Sequence, residues 1–488
     1  MSISERLIVI IDVGTTGVKA LLISESGKIL GKTYTEYSLI TPSPTEVEQD
    51  ANLWWSEAKN AIKELMKKAK PMKSSITSIS ITNQRGTVVP VDKDGNPLCN
   101  AITWLDTRTP ETDEDMKKRL IQRSSLQKIL WLKQNKPEIF KKTHKFVTTD
   151  AFIYYKLTGN FVMSSSNAIY YPYNVMELKW DEELINELDL SLDLFPETVP
   201  SGSDLGKISE DAAEELCLPK GINVIMGAGD QQSSMIGVGA IKPNIAKATT
   251  GTGTFVDVTL EEPIFDFYDT TTHLFVLPHA IEKKWILEAV IPGTGALLKW
   301  YRDNFAYPEV EEAKHKGMNA YDIITKYAEK EPPGVNGLGI IPLFTFGKGL
   351  IYGLSLSHTR HSIARAILES NGFAIRFFLD MFEEFEQKIT ELRVDGGGVK
   401  SSLWRQIQAD ITEKPVVLTN VIEDAGPLGA AILAAKGIGL YSSLESAVNN
   451  MVRLKERRDP NPENSEKYME YYERFQDMML SVASELEV

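Results

Sequence analysis

The chain has 488 residues, more than one hydrophobic core accommodates, so we predict two domains or three. Hydrophobic residues make up 42% and charged residues 25%, as in ordinary globular proteins, and no stretch reaches the roughly 18 apolar residues of a membrane span. The net charge of −14 excludes a general binder of nucleic acid or anionic membranes, because such a binder needs a basic face.

The first predicted elements are strands around a tight glycine turn. Leu7–Asp12 is an apolar run that enters the turn 13–17, and Lys19–Ile23 and Ile29–Tyr37 read as the next strands. Glycine has no Cβ, so the backbone amides of such a turn can approach an anion closely. Asp12, at the end of the first strand, can hold Mg²⁺ or its waters.

Polar residues follow the next elements. Asp50 is a predicted N-cap for a helix that runs through Leu65, and the strand Ile76–Ile81 ends shortly before Arg85. The strand Ala101–Leu105 ends directly before Asp106. Ligands gather at strand ends in α/β folds, so these polar residues are candidates for a binding site.

The pattern in the middle of the chain predicts a domain boundary. Pro137–Thr158 is largely helical, and the strand Val224–Met226 leads into a glycine-flanked turn that contains Asp230. The strand pattern restarts at Ala246–Thr250, followed by Gly251-Thr252-Gly253. We therefore predict lobes of residues 1–243 and 244–488.

The second half contains a third glycine turn, 396–398, after a short apolar run. The other predicted elements are the strands Ile286–Ile291 and Val416–Leu418 and the helices from Gly293 through Trp300, His361–Phe385, Trp404–Ile411, Pro427–Ala435 and Ser465–Leu486. The charged segment 457–464 contains prolines and is predicted to be a surface loop. Each glycine turn by itself fits an ordinary hairpin, but the set indicates two similar lobes that grip one nucleotide.

Eight motifs in this order resemble the FGGY family of carbohydrate kinases. They are Asp12-Val13-Gly14-Thr15-Thr16, Asn83-Gln84-Arg85, Trp104-Leu105-Asp106-Thr107-Arg108, Gly229-Asp230-Gln231-Gln232, Gly251-Thr252-Gly253, Asp395-Gly396-Gly397-Gly398, Trp404-Arg405-Gln406 and Leu428-Gly429-Ala430-Ala431. The resemblance implies an α/β fold of two ribonuclease-H-like, actin-like lobes with a central cleft. It also implies Mg²⁺- and ATP-dependent transfer of phosphate to a hydroxyl of a small sugar or polyol.

Asp230 is the predicted catalytic base, because a carboxylate in a glycine-flanked turn after a strand can project into a cleft, and the resemblance assigns the base to this position. Asp12 is the predicted magnesium-organising residue. The predicted acceptor-binding residues are Arg85, Trp104, Asp106, Asp230, Gln231 and Phe255. The predicted nucleotide-binding residues are Asp12, Gly14, Thr15, Thr16, Lys19, Gly251, Thr252, Gly253, Gly295, Gly397 and Ser401. Gly295 opens a helix, so free amides are expected near it.

The sequence gives mixed indications of the identity of the acceptor. Glycerol kinase places Glu directly after Asn-Gln-Arg, where this chain has Gly86, and the His typical of xylulokinases near this point is missing. The motif from Trp104 to Arg108 is closer to xylulokinase and gluconate kinase, which favours a ketopentose such as xylulose. Glycerol and gluconate remain alternative acceptors. Outside catalysis, a sugar or nucleotide sensor on the same fold and a chaperone-like or filament-forming ATPase are further alternatives.

Two segments beside the predicted cleft are short compared with the family. A Thr-Gly-containing, proline-rich loop is missing before Arg123-Ser124-Ser125-Leu126, and a Gly-Glu-Arg loop is reduced to the segment 345–349. Either both loops are shortened in this protein, or the printed sequence lacks residues there. Omission is favoured because both gaps fall at loops that are mobile in such enzymes.

Cys99 and Cys217 are the two cysteines, and no Cys-x-x-Cys is present. This usage indicates a reducing compartment without a disulfide framework. The apolar run before Asp12 is too short for a signal peptide, so we predict a cytoplasmic protein. Its expected partner is a small-molecule sugar or polyol, with no nucleic acid and no membrane, and a homodimer is left open.

Overall fold

A computed structural model of the protein describes residues 5–120, 123–264, 274–344 and 347–484. The chain divides into two compact units. The first comprises Met1–Gly239, Leu277–Trp285 and Asp424–Val452, and the second comprises Ala240–Val276, Ile286–Glu423 and Arg453–Val488. These units differ from the predicted lobes 1–243 and 244–488 chiefly because the late segment Asp424–Val452 packs within the first unit.

The strands are short and fall into several sheets. In chain order they are β1 (Leu7–Val13), β2 (Gly17–Ser24), β3 (Ile29–Glu36), β4 (Ile40–Ser43), β5 (Glu46–Gln49), β6 (Ile76–Asn83), β7 (Val89–Val91), β8 (Ala101–Ile102), β9 (Lys145–Val147), β10 (Val162–Ser164), β11 (Tyr173–Asn174), β12 (Lys179–Trp180), β13 (Glu197–Val199), β14 (Asp204–Lys207), β15 (Asn223–Gly229), β16 (Ile245–Thr250), β17 (Thr254–Leu260), β18 (Leu274–Pro278), β19 (Trp285–Ile291), β20 (Gly339–Ile341), β21 (Leu350–Tyr352), β22 (Glu391–Asp395), β23 (Val416–Thr419) and β24 (Leu454–Arg458).

The helices range in length from six to 25 residues. In chain order they are α1 (Ala51–Ala69), α2 (Glu114–Leu120), α3 (Ser124–Asn135), α4 (Pro137–Lys142), α5 (Thr149–Thr158), α6 (Glu182–Glu187), α7 (Glu210–Glu215), α8 (Asp230–Val238), α9 (Thr294–Asn304), α10 (Tyr307–Lys316), α11 (Ala320–Ala328), α12 (Arg360–Glu384), α13 (Ser402–Thr412), α14 (Ala425–Gly437), α15 (Leu444–Met451) and α16 (Pro462–Ser484). Short 3-10 helices occur at Lys70–Ser75, Ser165–Tyr170, Leu192–Leu194, Pro333–Gly337 and Gly397–Lys400. Within the described ranges, no helix has the length and apolar character needed to cross a bilayer.

The main sheet of the first unit has the strand order β14-β15-β6-β1-β2-β3. Strand β1 is parallel to β6 and antiparallel to β2, and β15 is parallel to β6. The apolar residues of β1 are at most 2% exposed, as expected for a strand covered on both faces. Because β1, β6 and β15 run in the same direction, their carboxyl ends bring Asp12, Asn83 and Asp230 to one edge of the sheet.

The main sheet of the second unit repeats this plan, with the order β18-β19-β17-β16-β22-β23-β24. Strand β16 is antiparallel to β17 and parallel to β22, and β22 is parallel to β23. The glycine turns after β16 and β22 therefore lie at the carboxyl edge of this sheet. Each unit thus presents one glycine turn after its first long strand, as the sequence predicts.

Two predicted elements are wrong in part. The segment 457–464 begins within β24, which pairs with β23 in an antiparallel register that sets Arg458 opposite Val416. Its charges suit an edge strand, where one face meets water and ion pairs such as Arg405–Glu456 can form at 2.8 Å. The segment 137–158 contains strand β9 between its two helices, and Phe146 in that strand is fully buried.

Helices α8 and α14 pack against each other through glycine. A Cβ on Gly237 would lie 1.8 Å from the carbonyl oxygen of Ala425, and one on Gly429 would lie 1.7 Å from that of Ser233. Only glycine permits so close an approach of the two backbones. This packing fixes α14 beside the helix that begins with Asp230.

Candidate active site

The turn between β1 and β2 is closed by its own backbone. The Gly14 amide donates to the Gly17 carbonyl at 2.9 Å, and the Tyr37 hydroxyl donates to the Gly14 carbonyl at 2.5 Å. Burial raises the pKa of Tyr37 above its ordinary value, so this hydroxyl remains a donor. Thr15 accepts at its hydroxyl from Trp104 Nε1 at 2.9 Å, while Thr16 is exposed.

Asp12 lies at the end of β1, with its side chain 15% exposed and 3.3 Å from Lys19 Nζ. Burial raises the pKa of the Asp12 carboxyl, the nearby Asp230 and Asp424 raise it further, and Lys19 opposes the shift. Asp424 precedes α14 and accepts from Lys32 Nζ at 2.8 Å. Sequence reasoning missed Asp424, whose signal was an acidic residue three positions before the predicted helix Pro427–Ala435.

Asp230 is the first residue of α8 and keeps 46% of its side chain exposed. Arg85 Nε lies 3.3 Å from Asp230 Oδ1, and the Arg85 side chain is only 8% exposed. A Cβ on Gly229 would lie 2.9 Å from Arg85 Cγ, so glycine at this position makes room for the arginine. The Gln231 amide donates to Asp230 Oδ1 at 2.8 Å. The structure thus brings Arg85, Asp230 and Gln231 together, as the sequence predicts.

Asp106 does not join this group through its carboxylate. Its side chain is fully buried, accepts from Arg108 Nη2 at 2.7 Å and accepts from the Val47 amide at 2.8 Å. The predicted strand Ala101–Leu105 ends earlier, at Ile102, and the chain turns before Asp106. Asp106 therefore anchors this segment, and its contact with an acceptor stays a prediction that this geometry does not favour. Trp104, in contrast, is 47% exposed.

Lys128 is a second residue that sequence reasoning missed. It lies in α3 with 1% of its surface exposed, and its ammonium donates to the Gly86 carbonyl at 3.0 Å. Burial lowers the pKa of Lys128 to about 7, and Arg108 contributes in the same direction while Asp106 opposes it. The lysine supports the turn that follows Arg85. Its signal in the sequence was a lone charge within the apolar run of α3.

We expect the stability contributed at Lys128 to depend on pH. A lysine in the unfolded chain has a pKa near 10.4, so between pH about 7 and about 10 the unfolded state binds more protons than the folded state. The penalty for a buried charge is fully present below this window and disappears as pH rises through it. Relative to Lys128→Met, the wild-type free energy of unfolding should rise with pH, by at most about 1.4 kcal/mol per pH unit. Urea unfolding of both proteins at several pH values measures the difference in their free energies of unfolding. A difference that stayed constant with pH would contradict the lowered pKa of Lys128.

The second unit contains a cavity of about 430 Å³, within the range of small-molecule sites. Five predicted nucleotide-binding residues line it, namely Gly251, Thr252, Gly295, Gly397 and Ser401. Lining residues that the sequence did not predict come from α9, α11 and the region around α13, namely Ala296, Leu298, Lys299, Asn319, Tyr321, Asp322, Thr325, Gly398, Lys400 and Trp404. The cavity combines an aromatic ring, hydroxyls and a carboxylate with the backbone of two glycine turns.

Gly295 lines this cavity and packs closely against the turn that contains Gly251. A Cβ there would lie 1.9 Å from the Gly251 carbonyl oxygen. The amides of Gly295 and Ala296 both donate to the Thr252 carbonyl, at 3.0 and 3.1 Å. The expectation of free amides at Gly295 is therefore wrong, because the adjoining turn already uses them. A Cβ on Gly397 would meet nothing closer than Glu423 Oε1 at 3.9 Å, which leaves an open surface.

The remaining predicted residues support these turns or lie on neighbouring strands. The Gly253 carbonyl accepts from the Gly251 amide at 2.9 Å, which closes the turn after β16. Ser401 caps α13 by accepting from the Trp404 amide at 3.2 Å, besides lining the cavity. Phe255 is partly buried in β17 of the second unit. The short segment 345–349 lies in part outside the described residues.

Asp12 is the residue predicted to organise magnesium. Among the residues that the structure places, no three His, Cys, Asp or Glu side chains form a group that could hold a metal. Asp12 nevertheless fits a cation, because burial and two neighbouring carboxylates disfavour its negative charge in the absence of one. Mg²⁺ commonly keeps several waters and takes one or two carboxylates together with substrate phosphates.

Comparison with known proteins identifies a family. The N-terminal domain model of the FGGY family of carbohydrate kinases matches residues 7–237, and the C-terminal domain model matches residues 246–438. The chain is 32% identical over 465 residues to a glycerol kinase of Thermococcus onnurineus, covering 90% of this chain and 91% of that protein. It is 28% identical over 482 residues to a xylulose kinase of Staphylococcus epidermidis, covering 95% and 94%. A gluconokinase of Bacillus licheniformis is 28% identical over 500 residues, covering 97% and 96%.

Solved structures show the same fold. A gluconate kinase of Lactobacillus acidophilus matches with a TM-score of 0.87 at 23% identity, covering 98% of this chain and 99% of that chain. A xylulose kinase of the same organism matches with a TM-score of 0.85 at 23% identity, covering 98% of both chains. A Plasmodium falciparum glycerol kinase with ADP matches with a TM-score of 0.83 at 24% identity, covering 98% of both chains. The predicted two-domain α/β fold is confirmed.

Proposed function

The chain belongs to the FGGY family of carbohydrate kinases, and from that membership we propose that it transfers the γ-phosphate of ATP to a ketopentose such as xylulose. It is a sugar kinase, a phosphotransferase with an alcohol group as acceptor. The donor, the acceptor and the residue roles are the parts proposed here. The observation that best supports the proposed catalytic site is the half-exposed Asp230 beside the buried cation of Arg85.

On the acceptor side, Asp230 accepts the proton of the attacking hydroxyl as transfer proceeds. Arg85, held 3.3 Å away, donates to a neighbouring hydroxyl of the sugar, since its guanidinium presents several donors in a fixed fork. Gln231 adds an amide that can both donate and accept. Trp104 is exposed enough to offer its ring face to the carbon skeleton.

On the donor side, the cavity of the second unit takes the adenosine of ATP, with the purine over Gly397 and polar contacts from Ser401. In the second unit, the Gly251-Thr252-Gly253 turn is proposed to bind phosphate. In the first unit, the turn from Gly14 to Thr16 is proposed to bind phosphate, with Lys19 as a further cation. Mg²⁺ would be held by Asp12 together with phosphate oxygens, and it would neutralise charge on the transferring group.

The choice of a ketopentose rests on the acceptor turn. Gly86 has φ of +69°, a conformation that residues with a side chain rarely adopt, and a Cβ there would lie 3.1 Å from Ser124 Oγ. A glutamate at this position, as glycerol kinase carries it, would be strained here. The motif from Trp104 to Arg108 and the xylulose kinase relative support the same choice. The glycerol kinase relatives, at 32% identity, keep glycerol as the alternative.

A coupled assay of ADP release with ATP and Mg²⁺ tests the proposal. We would compare kcat/KM for D-xylulose, D- and L-ribulose, glycerol, gluconate and erythritol, with a reaction lacking acceptor as the control. D-xylulose is expected to give the highest value, by about tenfold or more over glycerol, because lost hydroxyl contacts leave buried polar groups unpaired. A higher kcat/KM for glycerol or gluconate would identify that compound as the acceptor in place of D-xylulose. If no compound caused ADP release, the result would favour a sensor.

A further inference from the structure

Gln49, which the sequence did not single out, ends strand β5 with 1% of its surface exposed. Its Nε2 donates to the carbonyl of Thr15. Its Oε1 accepts from Trp54 Nε1 at 3.1 Å and from Gln84 Nε2 at 2.8 Å. One buried amide therefore joins three separate elements through three hydrogen bonds.

Two of these partners belong to the candidate active site. Thr15 lies in the turn proposed to face phosphate, and its hydroxyl also accepts from Trp104. Gln84 directly precedes Arg85, and the backbone amide of Gln84 donates to the Val13 carbonyl at 2.9 Å. Gln49 thus links the phosphate turn to the turn that carries the acceptor-binding arginine.

An amide side chain suits this position. The Thr15 carbonyl needs a donor, whereas Trp54 and Gln84 need an acceptor, and glutamine supplies both from one group. A charged glutamate offers acceptors without a donor, and an apolar side chain offers neither. Since the bonds to Trp54 and Gln84 are buried, neither partner has water to replace a lost hydrogen bond, and the contact with the Thr15 carbonyl is partly buried.

We propose that Gln49 is a positioning residue for phosphoryl transfer, whose amide holds the Gly14–Thr16 turn in register with Gln84 and Arg85. The inference rests on the proposed function, because that function assigns the two turns to phosphate and acceptor. A displacement of about 1 Å between reacting groups can cost about 10²-fold in rate, so this alignment bears on kcat. Gln49 acts through its hydrogen-bond partners Thr15 and Gln84.

Three full-length variants separate positioning from folding. Gln49→Glu keeps the acceptor for Trp54 and Gln84 and removes the donor to Thr15. Trp54→Phe is the matched control, because it removes another hydrogen bond of the same amide and leaves the Thr15 contact in place. Gln49→Met is a neutral variant of similar size that serves if Gln49→Glu does not fold. For each we would measure kcat, the acceptor KM and the thermal midpoint.

Gln49→Glu is expected to lower kcat by about 10- to 100-fold with the acceptor KM within about threefold, while Trp54→Phe keeps kcat within about threefold. The introduced carboxyl can donate once it is protonated, so the ratio of its kcat to that of the wild type should rise as pH falls from about 9 to about 6. Gln49→Met should lose kcat similarly and show no such recovery.

The proposal is overturned if Gln49→Glu, or Gln49→Met in its place, loses no more kcat than Trp54→Phe. It is equally overturned if the losses of all variants follow their thermal midpoints. Failure of the proposed function is a different result, because the wild-type enzyme itself would then release no ADP with any acceptor.

Discussion

Replacement of Asp230 by Asn is expected to lower kcat by about 10²- to 10⁴-fold, the usual scale for removing a general base. Asparagine has nearly the same shape, and its oxygen can still accept from the Gln231 amide, which donates to Asp230 at 2.8 Å. It cannot take up the proton of the attacking hydroxyl. Steady-state ADP release with the best acceptor measures the loss.

Binding of ATP should survive this substitution. The cavity assigned to adenosine is lined by residues of the second unit, whereas Asp230 begins helix α8 of the first unit. Titration calorimetry with ATP should therefore give a dissociation constant within about threefold of the wild-type value, a difference under 1 kcal/mol. This result would separate a chemical defect from a folding defect.

Asp193→Asn is the matched control for the charge change. Asp193 is an exposed residue in the 3-10 helix Leu192–Leu194, and its backbone amide donates to Ser191 Oγ at 3.3 Å. Its kcat should equal that of the wild type. If Asp230→Asn kept kcat within tenfold of the wild type, Asp230 would not be the base.

Sequence reasoning predicted the elements whose signal is local. The apolar run of β1 and the glycine turns after β1, β16 and β22 required only a few neighbouring residues to recognise. The five predicted nucleotide-binding residues that line the cavity of the second unit came instead from the resemblance to the FGGY family, apart from Gly295, whose signal was a helix start. Of their glycines, Gly295 is required by its close contact with the Gly251 backbone, whereas Gly251 and Gly397 leave room for a Cβ.

Residues whose role depends on distant partners were not predictable. Gln49 contacts residues 34 and 35 positions away, and Lys128 reaches a carbonyl 42 positions away. Tyr321 enters the cavity from α11, which carries no motif of its own. In each case an ordinary polar or aromatic side chain becomes informative only when the fold supplies its neighbours.

Strand β24 illustrates the converse case, in which the local sequence gives a misleading signal. Its sequence Leu454-Lys455-Glu456-Arg457-Arg458 has the composition of a solvated loop, and only its pairing with β23 makes it a strand. Charged residues are common on edge strands because they prevent further pairing. Composition therefore misleads where a sheet ends, and the same holds for Asp106, whose carboxylate resembles a ligand but is used by Arg108.

Replacement of Gly295 by Ala is expected to weaken ATP binding by about 10- to 100-fold. The added methyl would lie 1.9 Å from the Gly251 carbonyl oxygen and 2.9 Å from its carbon, so backbone rather than a flexible side chain must move. Such overpacking costs about 1–3 kcal/mol, and the strain falls on the turn proposed to bind phosphate. Titration calorimetry with ATP measures the effect.

Gly237→Ala separates strain in the site from strain elsewhere. A Cβ on Gly237 would lie 1.8 Å from the Ala425 carbonyl oxygen, a clash of the same kind, but it lies between α8 and α14 in the first unit. Both variants should lose thermal stability, whereas the dissociation constant for ATP should change strongly only in Gly295→Ala, because only there does the displaced backbone line the cavity. Equal weakening in both would show that the effect reflects general destabilisation, and unchanged binding in Gly295→Ala would remove the turn after β16 from the nucleotide site.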